Sequence, residues 1–128
     1  MASKFLRRAL ALDALSCAAM GAVMAPAGGL LSPLLGLSEG LIRGAGFALL
    51  PLALFIGWLA TRPSPPRAGV WIVIVGNLAW TAESFLVIGQ AAPAITAVGT
   101  AFVAAQALAV LGLAALEYVG LRRMTAAT

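Results

Sequence analysis

The twenty residues from Ala97 to Leu116 contain no Asp, Glu, Lys or Arg. As a helix rising about 1.5 Å per residue they span a hydrocarbon layer of about 30 Å. Leu41 to Ala60 and Val70 to Gly89 repeat the pattern with one charge each, Arg43 and Glu83. A fourth predicted span begins near Phe5 and ends near Ala25, interrupted only by Asp13. Backbone amides in lipid find partners only within a helix or a closed barrel, so unbroken apolar runs of this length predict helices. The expected fold is all-α: four transmembrane helices at about 5–25, 41–60, 70–89 and 97–120, forming one antiparallel bundle.

Composition agrees, with 62% hydrophobic and 9% charged residues against about 25% charged in soluble domains. Pro26-Ala-Gly-Gly and Ser32-Pro33 are helix breakers, which predicts an external segment over 26–40. Residues 61–69 form a short loop stiffened by Pro63, Pro65 and Pro66. A cleaved leader is the rival reading of the first span, because Lys4, Arg7 and Arg8 resemble its charged start and Ala25-Pro26-Ala27 its cleavage site. Asp13 falls within what would be the apolar core of that leader, which favours a retained helix.

Seven of the eight basic residues fall in three places: Lys4, Arg7 and Arg8; Arg62 and Arg67; Arg122 and Arg123. With four spans these places share one side, and an excess of Lys and Arg in short loops marks the cytoplasmic side. Both termini are therefore expected in the cytoplasm of a bacterium, with the chain in the inner membrane. The basic clusters flank apolar runs instead of lining one polar face, so they predict the lipid bilayer as partner and no nucleic acid. Trp58, Trp71 and Tyr118 fit an aromatic belt at that interface, whereas Trp80 is expected to pack inside.

Histidine is absent, which removes imidazole metal sites, bis-histidine haem and Ser-His or Cys-His nucleophile pairs. Cys17 is the single cysteine. It shares a helical face with Met20 and Met24, soft ligands in type, yet methionine in a helix is ordinarily packing material. No cofactor, no metal and no enzymatic activity are expected.

Charge inside a membrane is costly, about 2.5–3.5 kcal/mol on the insertion scale, so the acidic residues are the candidate functional groups. Glu83 lies thirteen residues into its span. Gln106 falls at similar depth and Arg43, near the outer end of its span, can reach towards Glu83, while Asn77, Thr81 and Ser84 line an adjacent stripe. Two readings remain open for Glu83, Arg43, Asn77, Thr81, Ser84 and Gln106: a buried polar network that fixes helix assembly, or a protonatable carboxylate facing a transport route. Asp13 with Arg7 and Arg8, and Glu117 with Arg122 and Arg123, are expected to form ion pairs at the cytoplasmic interface.

Alanine and glycine stripes on the first and fourth spans predict that these two helices pack most tightly. They also predict a protein that acts by association, as a homo-oligomer or as an accessory subunit of another membrane protein. The alternative is a small proton-coupled carrier that uses Glu83.

Overall fold

The computed structural model describes residues 2–127, and the side chains of residues 3–124. Four helices follow one another: α1 (Ala2–Leu35), α2 (Glu39–Thr61), α3 (Arg67–Ala91) and α4 (Ala97–Ala127). Each is long and apolar enough to cross a membrane. Leu15, Leu30 and Leu54 are 69%, 81% and 77% exposed. Five polar side chains, those of Asp13, Asn77, Thr81, Ser84 and Glu117, are buried. A surface of leucine around a polar interior suits lipid as solvent and is ill suited to water.

α1 differs from expectation in its length. It continues through Pro26 and Pro33 as 34 residues, about 50 Å of helix, so residues 26–35 are helical where a break was expected. Both prolines lie on the exposed side, where each removes one backbone donor without displacing a packed neighbour. The terminator is Gly36, whose φ of 72° is favourable only without a Cβ. There the Ser32 carbonyl accepts from Gly36 N at 2.9 Å and Leu37 N at 3.3 Å, closing the helix with a left-handed glycine cap. Two residues later Ser38 begins α2, its hydroxyl accepting from Leu41 N at 3.1 Å.

α1 packs along α2 over its most extensive contact, and against α4 less extensively. The expectation that the first and fourth helices pair most tightly is therefore corrected. The cause is Gly21 on α1 facing Gly46 on α2: a Cβ on Gly21 would stand 2.8 Å from the Gly46 carbonyl oxygen. The two backbones approach as closely as small residues allow. α3 packs on α4, whereas α2 and α3 barely touch although they are consecutive.

Two apolar clusters fill the interior. One joins Leu6, Leu10, Ile56, Leu59, Val70, Val73, Ile74, Leu121 and Met124 from all four helices. The other contains Met24, Leu35, Leu37, Ile42, Leu49 and Val103. The ends beyond the first cluster carry most of the arginines: Arg7 Nε donates to the Ala60 carbonyl at 3.0 Å, and the Arg123 guanidinium lies 4.5 Å from the Phe5 ring centre. At the opposite end Thr96 closes the bundle, donating from N to the Leu35 carbonyl at 3.0 Å and from Oγ1 to the Leu34 carbonyl at 2.7 Å. These bonds satisfy helix-end carbonyls that would otherwise lack partners.

Candidate functional site

Between the apolar clusters lies a layer of polar side chains centred on Asn77. Its Nδ2 donates to Asp13 Oδ2 at 2.8 Å and to Glu117 Oε1 at 2.9 Å. Asp13 is 1% and Glu117 0% exposed. The two carboxyls thus lie against one amide nitrogen, and Cys17 Sγ donates to Asp13 Oδ1 at 3.7 Å. Glu117 Oε2 is buried with no donor beside it among the described residues.

The local sequence explains the inward aim of both acids. Leu6, Leu10 and Asp13 recur on one face of α1, as Glu117, Leu121 and Met124 do on α4; each series joins the same apolar cluster. Arg8 and Arg122 stand five residues from their nearest acid and Arg7 and Arg123 six, rotations of about 140° and 120° around the helix axis. The interfacial ion pairs expected for Asp13 and Glu117 are therefore replaced. Arg7 serves the end of α2, Arg8 is exposed, Arg122 lies 5.9 Å from the Tyr118 ring centre, and Arg123 covers Phe5.

A second polar step follows along α3 and α4. Trp80 Nε1 donates to Gln106 Oε1 at 2.8 Å, and Gln106 Nε2 donates to Ser84 Oγ at 2.9 Å. Thr81 Oγ1 donates to the Asn77 carbonyl at 2.9 Å. Asn77, Thr81, Ser84 and Gln106 thus share the interior of the helix pair. Glu83 and Arg43 do not join them. Arg43 Nε donates to Glu39 Oε2 at 2.8 Å, one turn away on its own helix, and its Nη1 to the Ala25 carbonyl at 3.3 Å. Glu83 is exposed and, among the described residues, has no hydrogen-bond or ion-pair partner. Among the described residues the expected Arg43, Glu83, Gln106 network is not formed: Arg43 pairs with Glu39, and Glu83 lines the same cavity as Ser84 and Gln106 without bonding to either.

Trp80 forms a wall common to three cavities. One of about 270 Å³ extends from Asp13 and Cys17 to Gln106, between α1 and α4. One of about 80 Å³ lies in the gap between α2 and α3 and reaches Asn77. One of about 130 Å³ reaches Glu83 and Ser84. The linings are mostly apolar, with Asp13, Ser16 and Gln106 as polar points of the first, Asn77 of the second, and Glu83, Ser84 and Gln106 of the third. Among the described residues no group of His, Cys, Asp and Glu is arranged to hold a metal ion.

The pairing of Asp13 with Glu117 is the feature that single-helix reasoning missed. Its signal was the placement of each acid at an apolar-face position, which outweighs proximity to arginine along the chain. The chain matches no protein-family model, no curated protein and no solved structure.

Proposed function

We propose that this chain is a small, non-enzymatic integral membrane protein of the bacterial inner membrane. Its four helices form an antiparallel bundle with both termini in the cytoplasm. The function supported best is that of a proton-coupled carrier, in which the proton resides on the Asp13 and Glu117 carboxyls. The observation that carries this reading is the pair of buried carboxyls, Asp13 and Glu117, bridged by Asn77. Ionisable groups held within a membrane interior are a recurrent feature of proton relays in transporters. The cavity that runs from Asp13 to Trp80 and Gln106 gives a solute a place beside the proton site. The carboxylate of interest is therefore the pair, with Glu83 outside it. In vesicles with a potassium diffusion potential and an internal pH dye, the wild-type protein is expected to admit protons faster than Glu117→Gln. Equal rates at equal protein content would contradict this reading.

A second reading, action by association as a homo-oligomer or accessory subunit, is supported by the outer surface. Gly44, Gly76 and Gly112 are exposed and have nothing within 4 Å of where a Cβ would stand. Small residues facing lipid are sites where another helix can approach closely. Crosslinking in native membranes tests it, and a strictly monomeric protein with no trapped neighbour would count against it.

A further inference from the structure

We infer that the cavity beside Glu83 binds a small lipophilic cation, an organic ammonium ion, with the Glu83 carboxylate as its counter-charge. This cavity of about 130 Å³ is walled by residues of all four helices, in the half of the bundle that Thr96 closes. Binding there needs no proton transfer by Asp13 and Glu117, so it stands apart from the carrier reading.

The polar groups of the lining select the charge of the occupant. Glu83 is its one carboxyl and has no partner among the described residues. Arg43, the basic residue at this end of the bundle, is committed to Glu39 at 2.8 Å and to the Ala25 carbonyl at 3.3 Å. Arg67 stands at the other end of α3, sixteen residues from Glu83, or about 24 Å. A carboxylate among apolar groups is costly without a counter-charge. The side-chain donors of the lining are already used: Trp80 Nε1 donates to Gln106 Oε1, Gln106 Nε2 to Ser84 Oγ and the Val103 carbonyl, and Ser84 Oγ to the Trp80 carbonyl. None is left for an anion, nor for a solute with many hydroxyls. A hard metal ion needs several oxygen ligands, which one carboxyl does not provide.

The rest of the wall selects apolar substituents. Trp80 and Phe102 are aromatic, and the faces of such rings attract a cation within about 6 Å. Met24 adds a thioether that adapts to irregular shapes. The volume is below the roughly 300 Å³ at which drug-sized pockets begin, which suits a small ion. Glu83 lies eight residues short of the end of α3, about 12 Å, a depth that favours a free lipophilic ion over the ammonium of a lipid headgroup.

The test is equilibrium binding of radiolabelled benzyltrimethylammonium to the purified full chain in phosphatidylglycerol nanodiscs, with binding to protein-free nanodiscs subtracted. Saturable binding of one cation per chain is expected. Neopentylbenzene, the uncharged carbon isostere, should not displace it. Glu83→Gln should weaken binding about tenfold or more, and Phe102→Leu about two- to fivefold. Glu83→Asp should retain most of it. Competition by neopentylbenzene uses the unaltered chain, so it decides the matter even if a variant misfolds. Absence of saturable binding, displacement by neopentylbenzene, or unchanged affinity in folded Glu83→Gln overturns the proposal. Binding lost in Asp13→Asn but kept in Glu83→Gln assigns the cation to the deeper cavity and also overturns it. Binding abolished when phosphatidylethanolamine replaces phosphatidylglycerol assigns the cavity to a lipid headgroup, with the same consequence.

Discussion

Asn77 donates through a single nitrogen to Asp13 at 2.8 Å and to Glu117 at 2.9 Å, holding side chains from α1 and α4 against α3. Three of the four helices are thereby joined at one buried point. Its energetic weight follows from what is left when the donor is removed.

Asn77→Leu strands two carboxyls in an apolar interior, and the unmet acceptors should cost about 1–3 kcal/mol. Replacing all three residues with leucine should cost less than Asn77→Leu alone, because no polar group then remains to be satisfied. Equilibrium unfolding in mixed micelles measures both. A triple variant less stable than the single one would show that the cluster stabilises the fold outright.

Gly46→Ala places a methyl against the backbone of Met24 and Ala25, so α1 and α2 must separate. The expected loss is about 1–3 kcal/mol. Gly44→Ala, which has open space around it, should change stability by no more than about 0.5 kcal/mol. Thermal denaturation of the two variants in one detergent gives the comparison, and similar midpoints would contradict the close α1 and α2 contact.

Thr96 caps α4, its hydroxyl accepting from Gly99 N at 2.9 Å while it donates to the end of α1. Thr96→Val removes both bonds, and the loss should be about 0.5–2 kcal/mol. Hydrogen exchange should quicken at Gly99 and its neighbours, with little change near Asn77. Uniform acceleration would assign Thr96 a global role instead of a local one.

The four helices were legible because Ala97 to Leu116 and its counterparts are apolar beyond what a soluble helix needs. The end of α1 was not, since Pro26 and Pro33 signal a break and yet lie on an exposed side where a lost bond is tolerated. Asp13 and Glu117 were assigned to the nearest arginines by distance along the chain. Their rotation with Leu6, Leu10, Leu121 and Met124 aims them at Asn77 instead. That Asn77 unites them depends on which helices become neighbours, which no single helix encodes. Glu83 shows the converse: its place on α3 was legible, but its lack of a bond to Arg43 or Gln106 depended on how the helices pack.

The central proposal, that the carboxyl pair bridged by Asn77 carries a proton, is tested most directly by infrared spectroscopy of the carboxyl groups. In a Glu83→Gln background the remaining acids are Asp13, Glu39 and Glu117, and Glu39 is paired with Arg43. The account predicts a protonated carboxylic acid band at neutral pH in this protein. The band should be lost on adding Glu117→Gln, whose amide can donate to Asp13 without a proton. A spectrum with no protonated band, or a band unchanged by Glu117→Gln, would contradict it.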